Sequence, residues 1–264
     1  MSHGSNKVLT EKRGLVGWII FNQPAKRNAM SLDMWQALPA ILDDFESDPG
    51  IRSVVLTGAG DEAFVAGADI SEFETHRATP RDVAAYENHV DAATHRLAAS
   101  RLPTIARIRG FCIGGGLAIA LGCDLRIATP QSTFAIPAAK LGLGYRHGGI
   151  RTLMGLVGPG FAREIFFTAR QFNAEEASQM GLINRVVSDD KIDTLVDSYC
   201  AMIATNAPLT IRAAKITMNE INKAPAEFDA EFCDRLVQEC FDSEDYTEGR
   251  RAFMEKRKPD FHGR

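Results

Sequence analysis

The stretch that most constrains the fold of this chain runs from Pro103 to Thr129, PTIARIRGFCIGGGLAIALGCDLRIAT. Thr104–Ile108 is a short apolar run with β-branched residues, the pattern of a buried strand. Gly114, Gly115 and Gly116 follow after a turn, and Leu117–Leu121 reads as the first turns of an apolar helix. Strand, glycine turn and helix leave backbone N–H groups pointing out of a helix N-terminus, where they suit a negative oxygen. Glycines there also let a backbone or a ligand approach where a Cβ would clash. The spacing excludes two nucleotide patterns. A dinucleotide fingerprint needs GxGxxG and an acidic residue about 20 positions on, and a Walker loop needs Gly-Lys-Ser/Thr. Plain close packing also uses such glycines, so the turn gains meaning only from a partner.

The partner lies upstream. Leu15–Phe21 is an apolar strand that ends in the turn Asn22-Gln23-Pro24. Ala25–Met30 is a loop with two adjacent cations, Lys26 and Arg27. Ser31 is placed to cap a helix carrying Met34, Leu38, Ile41, Leu42 and Phe45 on one face, with Pro39 inside it and Asp48-Pro49-Gly50 ending it. Ile51–Thr57 is a second strand. Val54–Leu56 then leads through a glycine-rich loop to Ala66-Gly67-Ala68-Asp69-Ile70, which repeats the plan of strand, small-residue turn and helix start. Two such turns on parallel βα units set two N–H donors side by side as an oxyanion hole. Spacing alone slightly favours two unrelated tight turns.

At 264 residues the chain can bury one large core, or a core with a helical appendage. Its net charge of −4 gives no footprint for nucleic acid. No run of about 18 apolar residues predicts a membrane span, and MSHGSNK at the start has no apolar leader. Five cysteines, odd in number and without a CxxC pair, read as free thiols in a reducing cytoplasm. No His, Cys or carboxylate cluster has metal-ligand spacing, so no metal is expected. Beyond the middle of the chain, Asn173 caps a short helix with an acidic first turn. Ile192–Ala204, Leu209–Ile221, Phe228–Phe241 and Glu244–Lys256 are periodic helices, the last capped by Ser243. A soft boundary near residue 200 divides a core, 1–200, from a helical region, 201–264.

Several separated motifs now occur together. FVAGADI at 64–70, IRGFCIGGGLAIALGCDLRIA at 108–128, GLINRVV at 181–187 and YTEGRRAFMEKRKPDF at 246–261 resemble the enoyl-CoA hydratase/isomerase, or crotonase, superfamily. The resemblance runs from about Lys7 onward. It implies an α/β fold, a crotonase-like spiral of ββα units with a helical C-terminal trimerisation region. It implies an acyl-CoA thioester as substrate with no further cofactor, and a homotrimer or a dimer of trimers. It carries the two N–H donors onto Ala68 and Gly115, holding the thioester oxygen as it becomes an enolate. For coenzyme A it implies Lys26 and Arg27 near the phosphates, and Ala66, Asp69 and Ile70 along the adenine and pantetheine channel. Phe253 and Lys256, read as one helix face, are implied to reach the coenzyme A of a neighbouring subunit. For each cation and aromatic, a solvated or core position is the alternative reading.

The middle of the chain departs from the family's hydratases. These are implied to use two glutamates, because adding water across an enoyl bond needs a base for the water and an acid for the α-carbon. The matching positions here are Ala118 and Ala138, and neither can move a proton. KLGLGYRHGGIR, 140–151, instead resembles the bacterial methylmalonyl-CoA decarboxylases of the superfamily, which have a tyrosine where Tyr145 stands; they carry a histidine at the position of Ala68, absent here. Tyr145 and His147 are therefore the expected catalytic side chains. Tyr145 also reads as a core aromatic and His147 as a solvated loop residue, while Arg146 and Arg151 suit either structural ion pairs or a substrate carboxylate. Asp124 reads as structural. Three functions stay open: an acyl-CoA enzyme acting through an enolate, hydratase or isomerase by family and decarboxylase- or lyase-like by its residues; a catalytically weak or inactive acyl-CoA binding protein; and a scaffold using the trimer surface. The expected setting is cytoplasmic, with no nucleic acid or membrane partner.

Overall fold

The apolar runs do pair as strands, but from the third strand to the eighth successive strands alternate between two sheets. The computed structural model describes residues 6–76 and 78–264; the first five residues, part of the segment read as lacking a leader, lie outside the described residues. The first part of the chain forms β1 (Val8–Arg13), β2 (Val16–Phe21), α1 (Leu32–Ser47), β3 (Ser53–Gly58), β4 (Ala63–Val65), α2 (Phe73–His76) and α3 (Pro80–Ala98). The middle forms β5 (Thr104–Ile108), β6 (Phe111–Ile113), α4 (Gly115–Gly122), β7 (Leu125–Ala128), β8 (Thr133–Ala135) and α5 (His147–Thr168). Then come β9 (Phe172–Asn173), α6 (Ala174–Gln179), β10 (Arg185–Val186), α7 (Ile192–Ala204), α8 (Pro208–Ile221), α9 (Ala230–Asp242) and α10 (Glu244–Glu255).

One sheet has the order β1-β2-β3-β5-β7-β10 and the other β4-β6-β8-β9. Each strand pair β3/β4, β5/β6 and β7/β8 places its first member in the larger sheet and its second in the smaller. The chain thus winds as a mixed α/β spiral of strand pairs and helices, as expected. Within the larger sheet β2, β3, β5 and β7 are parallel neighbours. They are covered on both faces, which explains their nearly continuous apolar sequences. Ile19, Phe21, Val54, Leu56 and Ala106 face the main core with α1. Trp18, Val55, Ile105 and Ile127 face Ile192, Val196 and Cys200 of α7. Helix α7 straddles residue 200, so a cut there divides an element packed on the sheet. The appendage begins at α8.

Lys215 ties that appendage to the core. Its ammonium, more than nine-tenths buried, donates to Leu102 O at 2.8 Å and to Asp124 Oδ2 at 2.7 Å. Asp124 Oδ2 also accepts from Thr104 N at 2.7 Å, so the acid is structural in the way its turn position suggests. All five cysteines are free, and burial pushes the Cys123 thiol up to about 12.

Pattern reading went astray in identifiable places. The charged segment Pro80–Ala98 forms α3, opened by a reciprocal capping box between Thr79 and Asp82. Ser31 occupies the N-cap of α1 without a side-chain cap bond. The Leu32 N–H is met instead by Glu72 Oε2 at 2.8 Å, a cap from a distant residue. His147 is the first residue of α5, not a loop residue. Lys256 is the left-handed cap that ends α10 (φ 54°), so it does not share a helix face with Phe253.

Glu46 joins α1 to α3 and to the turn before β5. Its carboxylate accepts from Arg96 at 3.0 Å, Ser100 Oγ at 2.8 Å and Arg101 N at 2.9 Å. Burial alone would raise its pKa, but these hydrogen bonds outweigh burial and hold it at about 2. A depressed carboxyl stabilises the fold above its unfolded pKa, and that contribution is lost as pH falls toward the folded value. The melting temperature is therefore expected to fall between about pH 4.5 and 2, and Glu46→Gln should flatten that part of the profile. Identical acid limbs for the two proteins in a calorimetric pH series would refute this.

Candidate functional site

The site follows from one pairing that local sequence does not reveal. β4 and β6 are parallel neighbours, with Val65 opposite Cys112. The turns that leave their C-terminal ends must then leave side by side. One is Ala66–Asp69 and the other Gly114–Gly116. A Cβ built on Gly115 would stand 3.8 Å from the Gly67 carbonyl carbon, the atom bonded to the Ala68 nitrogen.

Each of the three glycines has its own reason. Gly114, with φ 53° and ψ −112°, adopts a backbone conformation open mainly to glycine. Gly116 lies against β4, where a Cβ would stand well inside contact distance of Val65 O. At Gly115 a Cβ would approach Trp35 Cζ2 to 3.0 Å. Trp35 is buried and held by its indole N–H, which donates to Tyr86 Oη at 3.0 Å.

Both amides in question are unspent. Gly115 is the first residue of α4, so its N–H has no acceptor within the helix. Ala68 forms a parallel bridge with Met30, through Met30 N–H to Gly67 O and Asp69 N–H to Met30 O, both at 2.8 Å. That register turns the Ala68 N–H away from Met30. Among the described residues neither amide donates to a protein acceptor. Two adjacent backbone donors, one at a helix N-terminus, can bind one oxygen that gains negative charge.

The remaining expected residues fall into three groups. Around the first turn, Lys26 Nζ donates to Asp69 Oδ2 at 2.7 Å and Ser71 Oγ at 2.9 Å. Burial pushes the Asp69 carboxyl up, but bonds from Lys26 and Ser71 outweigh it and hold it below the usual carboxylate range. Arg27 pairs with Glu62 at 2.6 Å and lies over the Phe111 ring. Ala66 donates to Arg27 O at 3.0 Å, and Ile70 is largely exposed.

Around the second turn, Ala118 is half-buried and lies one helical turn beyond Gly115. Pro137 reaches 4.0 Å from the place a Gly114 Cβ would occupy, which brings the neighbouring buried Ala138 close by. Ala138 O accepts from Leu141 N and Leu143 N at 3.0 Å, and so holds the segment leading to Tyr145. Tyr145 is half-buried, edge-on to Phe166 at 5.1 Å between centroids. His147 and Arg151 are exposed, and Arg146 is spent on Asn88 and Asp91 of α3.

The third group stands apart. α10, which carries Phe253, packs on α9. The tail after it returns to Arg52, whose guanidinium donates to Phe261 O, at the opening end of β3 rather than the end leading to the turns. Phe253 is 83% exposed, so within one chain it does not meet the two amides.

A polar cavity of about 290 Å³ opens on the other face of the larger sheet, beside α7. Its Arg107 and Arg109 are paired with Asp193 and Asp189. The two guanidiniums there are thus matched by carboxylates.

In the sequence Asn28 reads as one more polar loop residue. It is buried, with φ 56°. A non-glycine residue forced into the left-handed region while buried is a signal only the backbone can supply.

Comparison with known proteins identifies the family. The family model described as enoyl-CoA hydratase/isomerase matches residues 11–264. A short-chain-enoyl-CoA hydratase of Clostridium acetobutylicum is 35% identical, with 96% of each chain covered. A crotonyl-CoA hydratase of Syntrophomonas wolfei is 32% identical, over 96% of this chain and 97% of that one. Among solved structures, an enoyl-CoA hydratase/carnithine racemase from Magnetospirillum magneticum superposes with a TM-score of 0.91 at 34% identity, covering 99% of this chain and 97% of that chain.

Proposed function

The chain belongs to the enoyl-CoA hydratase/isomerase family and is an enzyme of that family, and from that premise we propose that it turns over an acyl-CoA thioester through an enolate, by lyase or isomerase chemistry rather than rapid hydration. The observation that carries the reading is the contact of the Gly67–Ala68 and Gly115 turns with both amides unspent. As a bond at the α-carbon breaks, its electron pair moves onto the thioester oxygen. Two fixed donors aimed at that oxygen stabilise it without reorganisation. The same oxygen is less charged in the ground state, so the donors favour the transition state over the bound substrate.

Ala118 and Ala138 border this place and carry no proton. The proton returned to carbon comes first from Tyr145, whose neutral hydroxyl can donate, and second from His147. Loss of both glutamates removes two groups that each typically contribute about 100- to 10,000-fold. On this reading Lys26 and Arg27 meet the phosphates of coenzyme A, with Ala66, Asp69 and Ile70 along its length, and Lys26 exchanges Asp69 for phosphate on binding. The exposed Met218, Ile221, Phe241, Phe253 and Met254 of the C-terminal helices support a homotrimer or a dimer of trimers, in which Phe253 and Lys256 serve a neighbouring subunit. The spiral through α7 would bind acyl-CoA, and the helices from α8 onward would assemble the oligomer. No helix among the described residues is long and apolar enough to cross a membrane.

The test compares the wild type, Tyr145→Phe and His147→Ala on crotonyl-CoA and methylmalonyl-CoA. Acyl-CoA binding with slow crotonyl-CoA hydration is expected. Whatever turnover methylmalonyl-CoA shows should drop by about 100-fold in Tyr145→Phe. Rapid crotonyl-CoA hydration, unchanged in both variants, would overturn the assignment.

A further inference from the structure

We propose that Asn28 is a positioning residue for the Ala68 amide, clamping the strap Gln23–Met30 to the turn between β3 and β4 and so fixing where that amide points. The inference rests on the use of the Ala68 N–H as an oxyanion donor. The two donors are not held equally. Gly115 N–H belongs to a helix whose first turn is wedged against β4. Ala68 lies outside any regular element, and among the described residues its turn is bonded to the strap beside it. Arg27 O accepts from Ala66 N–H at 3.0 Å, Met30 N–H donates to Gly67 O and Met30 O accepts from Asp69 N–H, both at 2.8 Å. These bonds flank Ala68 on both sides, so a shift of the strap is a shift of the amide.

The strap adopts a costly conformation. Arg27 and Asn28 are consecutive left-handed residues, with φ 53° and 56°. Asn28 holds that shape with a fully buried carboxamide. Its Oδ1 accepts from Gln23 N at 3.0 Å, and its Nδ2 donates to Ala59 O at 3.0 Å and Ala63 O at 2.8 Å. Ala59 and Ala63 bracket the turn that feeds β4, the strand from which the Ala68 turn leaves. Gly58 makes the room, since a Cβ there would stand 2.5 Å from Asn28 Nδ2. The clamp needs two donors and one acceptor on a short side chain that tolerates the left-handed region, and asparagine meets all three needs. Aspartate would present an anion to two carbonyl oxygens. Glycine would keep the backbone shape and remove the clamp.

The experiment uses Asn28→Gly, Asn28→Asp and, as a destabilised control remote from the strap, Lys215→Met. Each is saturated with butyryl-CoA labelled with carbon-13 at the thioester carbonyl. Affinity is read by calorimetry and the carbonyl stretch by difference infrared spectroscopy. In the wild type the stretch should lie below that of free ligand. Both Asn28 variants should lose most of that shift while the dissociation constant rises by less than about tenfold, because coenzyme A contacts supply most of the affinity. Lys215→Met should melt earlier and keep the full shift. A full shift in the folded Asn28 variants would overturn the proposal and leave the oxyanion reading standing. So would a shift lost equally in Lys215→Met, or failure of both Asn28 variants to fold, either of which makes the residue merely structural. A wild type that does not bind, or binds with an unshifted carbonyl, removes the oxyanion reading and the proposal with it.

Discussion

Replacing Gly116 by alanine is expected to lower the melting temperature by roughly 6–12 °C and to remove most activity from the protein that remains folded. A Cβ at this position would stand inside the Val65 carbonyl oxygen, and Val65 Cβ is 2.8 Å away. Neither neighbour is the far end of a flexible side chain. β4 is held by β6 in register, so the relief must come from moving α4 outward. Forcing a methyl into a packed core typically costs about 1–3 kcal/mol, and a clash with backbone belongs at the upper end. For a chain of this size about 3 kcal/mol corresponds to the stated drop. The functional loss follows from the same movement. On the proposed reading Gly115 N–H is an oxyanion donor that travels with the first turn of α4, and misplacing such a group by about 1 Å can cost on the order of 100-fold. Gly155→Ala is the control. It sits within α5 with nothing within 4 Å of its Cβ, and helix propensity makes it neutral or slightly stabilising. Equal melting temperatures and equal turnover for Gly116→Ala and the wild type would show that α4 is not wedged as described.

The contrast between these glycines marks what can be read from the chain alone. GGG announces a tight turn, but which glycine is needed for φ and which for space depends on β4, a strand of three residues that carries no periodic signal. Runs of six apolar residues such as Val16–Phe21 stand out because both faces are buried. Ala63–Val65 and Phe111–Ile113 are too short to stand out, yet their parallel pairing decides that the two turns meet. Val8–Arg13 escapes the pattern for the opposite reason, since only Val8 of that strand is buried. Helix α3 buries only Tyr86, Ala93 and Leu97, so its charged sequence hides its period. Fold and family were legible because the motifs recur in order along the whole chain. The clamp at Asn28 was not, because nothing local distinguishes a buried left-handed asparagine from a solvated one.

Introducing glutamate at both Ala118 and Ala138 is expected to raise crotonyl-CoA hydration by 1,000-fold or more, on the order of what two positioned acid–base groups supply. The proposed reading makes the donors backbone and the missing parts side chains, so the protein already holds the half that mutation cannot easily build. Ala118 lies one turn from Gly115 on α4, and Ala138 lies beside Pro137, which packs toward Gly114. Each new carboxyl therefore enters from a different element toward the same place. Ala138 is only 5% exposed, so a carboxyl there is desolvated and its pKa rises, as a general acid needs. Ala118 is half-buried, and a carboxylate there remains ionised more easily, as a base needs. The two must act on one water and one carbon together. Each single variant should gain little, and most of the effect should appear only in the pair. Tyr145→Phe in the double variant should then have little effect on hydration, because the tyrosine no longer carries the proton. Gains that simply multiply from the two single variants would contradict joint action. A double variant that folds, binds crotonyl-CoA and hydrates it no faster than the wild type would mean that the thioester does not sit between Ala68 and Gly115.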